Sequence, residues 1–386
     1  MRAVAAAALI CLLSTAPAAA QPRLTMQWRA LAERLVTQLA PEPGERILLV
    51  ARPGQFDDLI PHLRYALAEA GAVDVGVIDV MAEPHPEHWD AGPLARSSEA
   101  ARALWREMLR GSVDGAIMLP GARPDHTVYA ALQDLLHEGL GRTIHFHWTQ
   151  NGSAFPVPGQ PMPGPAAVDA TYQRAVLETD YAALAAAQDR FVAALRASEV
   201  RVTTPAGTDI RFRIGDRPVN LGNGDASKAR TDRGVILIDR EIELPAGAIR
   251  VAPVEETVHG TIVFPPSQWD GRAVTDLALT FERGRITGVR ASSGQAAAEA
   301  ELAGVPDEAR AFREFALGFN PLLAVPERNP WIPYYGYGAG VVRLSLGDNS
   351  ELGGQVAGGY VRWNFFTDTT VTVGGEVWVR DGRLVR

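Results

Sequence analysis

Hydrophobic positions in the first half of the chain switch repeatedly between two periods. Apolar residues from Trp28 to Leu39 recur at three- and four-residue steps and predict a helix. Pro41 to Gly44 breaks that pattern, and Arg46-Ile-Leu-Leu-Val-Ala51 reads as a buried strand. Helical spacing returns over Asp57 to Ala70, with Gly71 placed to stop it. The same reasoning predicts strands over Val73 to Val80, Val113 to Leu119 and Thr143 to Trp148, and helices over Ser97 to Leu109 and Thr127 to Leu140. Alternation of this kind predicts a parallel sheet with helices on its faces.

Gly152 to Pro165 is rich in Pro and Gly and reads as a linker, and Tyr181 to Ala197 as a long amphipathic helix bridging two halves. Beyond it the pattern shortens. Strands are predicted over Val200 to Thr203, Asp209 to Ile214, Gly234 to Ile238, Thr257 to Val263, Thr275 to Phe281 and Ile286 to Arg290, with one helix over Gln295 to Leu317. The remainder is strand-like with Gly-rich turns, and Val377 to Val385 closes as a hairpin around Asp381-Gly382. The expected architecture is an α/β domain with a parallel sheet over residues 21–197, then a β-rich domain over 198–386.

The first twenty residues change the picture of location. Arg2, the short apolar run Ala3 to Leu13 and the small residues Ala18-Ala19-Ala20 read as a secretory signal, so the protein is expected to be exported, either periplasmic or secreted. Cys11, the single cysteine of the 386 residues, falls inside that segment. A mature chain without cysteine can form no disulfide and offers no thiolate nucleophile. No later run is long and apolar enough to predict a membrane span. The hydrophobic fraction of 47%, charged fraction of 21% and formal charge of -8 are those of a soluble globular protein, and the lack of a basic run argues against a nucleic-acid partner.

Motifs narrow the chemistry further. There is no G-x-S-x-G elbow, Walker loop or H-E-x-x-H, and Gly336-Tyr-Gly-Ala-Gly340 has neither the spacing nor the preceding strand of a dinucleotide loop. Seven of the eight histidines precede residue 150. His145 and His147 are two apart on a predicted strand and share a face, so they could ligate a metal or sit at a strand end beside the ligand crevice. On a strand, Glu255, Thr257 and His259 would share one face, either as an acid–imidazole group or as a solvated strand end.

Leu244-Pro-Ala-Gly-Ala-Ile-Arg-Val-Ala-Pro-Val-Glu-Glu-Thr-Val-His-Gly260 resembles a segment of the aminopeptidase T family of metallopeptidases. Glu314-Phe-Ala-Leu-Gly-Phe-Asn-Pro321, Arg343-Leu-Ser-Leu-Gly347 and Val361-Arg-Trp-Asn364 are similar to three further family segments, and the likeness is more diffuse before them. The resemblance implies the family's two-part fold, a homodimer, and removal of N-terminal amino acids by two divalent metal ions held by carboxylates, imidazoles and a tyrosine. Those six ligand positions fall on Ala248, Glu314, Arg343, Ser350, Arg362 and Asn364. Only Glu314 keeps the family's residue. Arginine carries a permanent positive charge and no acceptor, so it repels a dication instead of ligating one.

A degenerate site with no metal cofactor is therefore expected. Glu314, Arg343 and Arg362 are its central groups, with Asp348, Asn364, Ser350 and Tyr337 around a ligand. Arg343 and Arg362 can pair with Glu314 and Asp348 as a structural network, or hold an anion by their guanidinium forks, with Tyr334, Tyr335 and Tyr337 as aromatic walls. Three functions fit. The chain binds a peptide or small anionic ligand in the former active-site cleft, or it is a hydrolase with reworked Arg/Glu/Asp chemistry. The third is a divergent metalloaminopeptidase that keeps two divalent metal ions.

Overall fold

The computed structural model describes residues 24–81, 85, 87–148, 152–234 and 236–386. The predicted signal segment 1–20, with Cys11, lies outside them. Five strands form an all-parallel sheet in the spatial order Val73–Asp79, Arg46–Ala51, Gly115–Met118, Arg142–Phe146, Glu241–Leu244. Alternation along Arg46–Ala51 buries both sides of this sheet. Ile47, Leu49 and Ala51 pack with Leu31 and Leu35 of helix Trp28–Leu39, while Leu48 and Val50 pack with Tyr129 and Leu132 of helix Thr127–His137.

The fifth strand joins the two halves. The chain leaves the first sheet through helices Pro165–Glu178 and Tyr181–Ala197; Asp180 caps the latter by accepting from the Ala183 amide at 2.9 Å. It then begins the β-rich part, and returns to lay Glu241–Leu244 beside Arg142–Phe146, with His145 opposite Glu243. The next strand, Ala248–Val251, belongs to the second sheet. Residues 241–251 thus run from one sheet directly into the other.

That second sheet is antiparallel, in the order Val361–Arg362, Val342–Gly347, Phe312–Gly318, Ala248–Val251, Asn220–Leu221, with Phe365–Phe366 also pairing to Val342–Gly347. An eight-stranded antiparallel sheet holds Val200–Thr203, Asp209–Phe212 and the hairpin Glu376–Arg380 with Arg383–Leu384. The expected fold class, a parallel α/β region followed by a β-rich region, is the observed one. No helix among the described residues is long and apolar enough to cross a membrane.

Some local expectations fail for identifiable reasons. The helix predicted over Gln295 to Leu317 stops at Ala303, and Phe312–Gly318 is a central strand with every residue buried. A strand buried on both faces shows no alternation, so Phe-Arg-Glu-Phe-Ala-Leu-Gly after an Ala-rich helix carries no strand period and reads as its continuation. The described residues of the strand predicted over Gly234 to Ile238, which exclude Val235, form no strand: a short helical turn at Leu237–Asp239 precedes the real strand at Glu241–Leu244. Glu255–Thr257 is likewise a helical turn, so Glu255, Thr257 and His259 do not line one face of a strand. Helix Pro165–Glu178 lacks any strong signal in the linker before it.

Candidate functional site

A cavity of about 530 Å³ opens where the C-terminal ends of the parallel strands meet the second sheet. Crevices at such strand ends are where open α/β sheets bind ligands. Arg52 follows the strand Arg46–Ala51, Gly121 to Asp125 follow Gly115–Met118, and His147 follows Arg142–Phe146; all line the cavity.

Alternation builds the first wall. Ile144, Phe146 and Trp148 point into the main core, so His145 and His147 point the other way; Ile242 and Leu244 do likewise, so Glu241 and Glu243 face the cavity. His145 Nδ1 lies 2.6 Å from the Tyr129 hydroxyl and 3.4 Å from Glu241 Oε1. Tyr129 donates to Glu241 Oε1, and Gln133 donates to Oε2 at 2.9 Å. The Tyr337 hydroxyl donates to Glu243 Oε2, and His147 Nε2 stands 3.7 Å from Oε1. The two imidazoles lie tilted by 36° to each other with centroids 3.6 Å apart. Burial, aided by His145, pulls His147 down to about 4. Burial alone would raise Glu243, but His147, Arg250 and the Tyr337 hydroxyl hold it well below the usual carboxylate range.

Arginines build the second wall. Glu314, fully buried, is paired with Arg343 Nε at 2.8 Å, off the line of a hydrogen bond, with Arg250 Nε at 3.2 Å and more distantly with Arg313 Nε at 4.0 Å. The Ser345 hydroxyl donates to it at 2.9 Å. Burial alone would raise the Glu314 carboxyl; the guanidinium groups of Arg343, Arg250 and Arg313 outweigh it and hold the group ionised. Glu351 accepts from Arg250 Nη2 at 2.6 Å and from Arg313 Nη2. Arg343 Nη1 donates to the Tyr335 carbonyl at 3.3 Å, and its guanidinium carbon lies 5.4 Å from the Trp363 ring centroid. Among the described residues, Arg343 Nη2 and Arg250 Nη1 have no hydrogen-bond partner, and both side chains line the cavity.

Of the residues expected at the site, Glu314, Arg343 and Tyr337 converge. Arg362 does not join them. It pairs opposite Leu346 at a sheet edge, and its guanidinium stacks 3.6 Å above the Trp269 ring while Nη1 meets Glu301 at 2.8 Å. Asp348 does not meet an arginine as foreseen: its carboxylate accepts from the Ser350 hydroxyl at 2.6 Å and the Gly359 amide at 2.9 Å, so Ser350 and Asp348 are spent on a turn. Asn364 is buried and donates to the Leu344 carbonyl at 3.1 Å. Ala248 is buried, and the same strand face brings Arg250 to Glu314 two residues later.

Sequence reasoning missed Arg250, Arg313, Glu351, Glu241 and Glu243. Two signals were there to be used. Arg250 is a lone charge within an apolar strand, and Glu241-Ile-Glu-Leu244 alternates acid with aliphatic.

Two divalent ions at the family's positions do not fit these residues. Glu314 is committed to guanidinium groups, and a dication beside it would meet three fixed positive charges. Among the described residues, no three His, Cys, Asp or Glu side chains converge as an ion would require.

The family model of thermophilic metalloproteases (M29) matches residues 179–322. AmpT from Thermus thermophilus has a similar fold, with a TM-score of 0.59 at 18% identity over 93% of this chain and 99% of that one. So does 2,5-dihydroxypyridine dioxygenase from Pseudomonas putida KT2440, with a TM-score of 0.57 at 15% identity over 93% of this chain and 97% of that one. No curated protein matches the chain in sequence. The segment that holds Arg250 and Glu314 lies within the stretch that matches the family model, and the chain shares its fold with both solved structures.

Proposed function

We propose that this is an exported, aminopeptidase T-like protein whose cleft holds a peptide or small carboxylate ligand without a dinuclear metal centre. One observation carries the reading: the buried Glu314 is wrapped by arginines, two of which line the cavity with an N–H that has no partner among the described residues. Glu314 and Glu351 pair directly with Arg250, Arg313 and Arg343, and a bound carboxylate would accept from the N–H groups that these pairs leave open. Trp363 and Tyr335, 5.3 Å apart, supply an aromatic wall beside Arg343. Fold does not settle the reaction, because two solved structures of this architecture bear the names of a peptidase and a dioxygenase.

The test is metal analysis with thermal melting. The purified mature protein is expected to hold no stoichiometric divalent metal and to be stabilised by N-acetyl-L-phenylalanine, by about 2.7 kcal/mol at a hundred times the Kd. Arg343→Met should abolish that stabilisation. Two equivalents of bound zinc, cobalt or manganese together with release of N-terminal amino acids would restore the metalloaminopeptidase reading. Peptide turnover that persists in chelator and falls in Arg343→Met would replace binding by reworked catalysis.

A further inference from the structure

The parallel sheet carries a second cavity, of about 190 Å³, at its opposite end. It lies where the strands Gly115–Met118 and Arg142–Phe146 begin and the helices Ala91–Leu109 and Thr127–His137 end. Among the described residues it shares no lining side chain with the cleft above. Alternation along Arg142–Phe146 turns Thr143, His145 and, just beyond, His147 to one side, where His145 meets Tyr129 of helix Thr127–His137. Thr143 is the shortest of the three and leaves space beneath the last turns of that helix.

The wall is largely aliphatic. Leu109, Leu132, Leu135 and Leu136 are buried against the cavity, and Leu140, 41% exposed, joins them. The charged groups around it are already matched. Arg142 donates to both Glu45 oxygens at 2.7 and 2.6 Å, Arg110 pairs with Glu138, Arg46 with Asp114, and Lys228 with Asp232. Neither sign is on offer, so a charged ligand would lose its hydration without gaining a partner.

One polar group stands apart from these pairs. Thr143 is 1% exposed, lines the cavity, and its hydroxyl has no hydrogen-bond partner among the described residues. The other lining threonine, Thr231, spends its hydroxyl on the carbonyls of Ser227 and Lys228 at 3.1 and 3.3 Å. A hydroxyl can donate once and accept twice, and buried polar groups are nearly always satisfied. An unsatisfied one on the wall of a cavity points to a group that arrives with a ligand.

We propose that this cavity binds a small neutral molecule with an apolar body and a single hydroxyl, the size of a monocyclic phenol. Its hydroxyl meets Thr143 Oγ1 and its ring lies among the leucines. The size fits, since an apolar cavity of about 150 Å³ is enough for benzene. The leucines supply attraction without direction, and Thr143 supplies the one contact that orients the ligand. The site goes beyond the carboxylate-binding reading and uses none of its residues.

Calorimetric titration of the mature protein with phenol and with toluene, which has the same shape and no hydroxyl, tests it. Phenol is expected to bind at least about tenfold more tightly than toluene. A wholly apolar cavity would reverse that order, because water holds phenol more strongly than toluene. Thr143→Val keeps the outline of the side chain, and should weaken phenol at least about tenfold while leaving toluene within about twofold. The comparison of the two probes in the unmodified protein stands even if the variant fails to fold. Phenol binding no tighter than toluene, or no binding of either, overturns the proposal. Phenol binding unchanged in Thr143→Val overturns it as well, by placing the ligand elsewhere. None of these results bears on the carboxylate reading of the main cleft.

Discussion

Glu314 draws its stability from side chains that reach it from two neighbouring strands and from its own. Arg250 comes from Ala248–Val251, Arg343 and Ser345 from Val342–Gly347, and Arg313 is the preceding residue. Removing the anion should therefore cost more than removing one cation. Glu314→Gln leaves three buried guanidinium groups without their shared carboxylate and is expected to lose about 3–5 kcal/mol of unfolding free energy in urea. Arg343→Met leaves Glu314 with Arg250, Arg313 and Ser345, and is expected to cost no more than about 2 kcal/mol. Equal losses in the two variants would contradict an anion-centred cluster. At this scale the sequence was partly legible. Glu314 and Arg343 stand out because family-like segments surround them. Arg362 looks equivalent to Arg343 on the same grounds, yet its side chain lies on Trp269 and Glu301. Nothing within four residues of Arg362 signals that difference, since both partners are distant in the chain.

Elements meet at the cavity through the strand Glu241–Leu244, and helix Thr127–His137 fastens it there. Tyr129 and Gln133, one turn apart on that helix, both donate to Glu241. Tyr129→Phe removes one donor to a buried carboxylate and the acceptor of His145 Nδ1, with almost no change of volume. It is expected to destabilise the fold by about 1–3 kcal/mol in urea denaturation. A neutral result would mean that the Tyr129–Glu241 contact contributes nothing to holding the strand. The periodicity of the helix is plain in sequence, and its predicted start at Thr127 is the observed one. The strand was missed because its pattern is four residues long and follows a turn that resembles a strand. Phe312–Gly318 was misread for the opposite reason, since full burial removes the alternation that marks a strand.

Across the whole molecule, acid should act in two stages. The folded-state pKa of His147 lies near 4, below its ordinary 6.5, so the unfolded chain takes up that proton first as pH falls. The stability this contributes is complete above about pH 6.5 and is lost progressively towards pH 4, amounting to about 3 kcal/mol. Below the ordinary carboxyl value of 4.5, the unfolded chain also protonates before Glu314 and Glu243, so the decline continues. Urea midpoints measured at pH 7, 5.5 and 4 should fall in order, and a flat profile from 7 to 4 would contradict a buried neutral His147. By itself the sequence determined what depends on neighbours along the chain: the period of each long helix and half-buried strand, the strand–helix alternation that makes a parallel sheet, and the residue types offered to the site. Only the tertiary structure decided which charges meet. Tyr129 and Glu241 are 112 residues apart, and Arg250 and Glu314 are 64 apart. Strand order and register, fixed by the burial of whole faces, bring such residues together, and no local pattern encodes a partner at that distance.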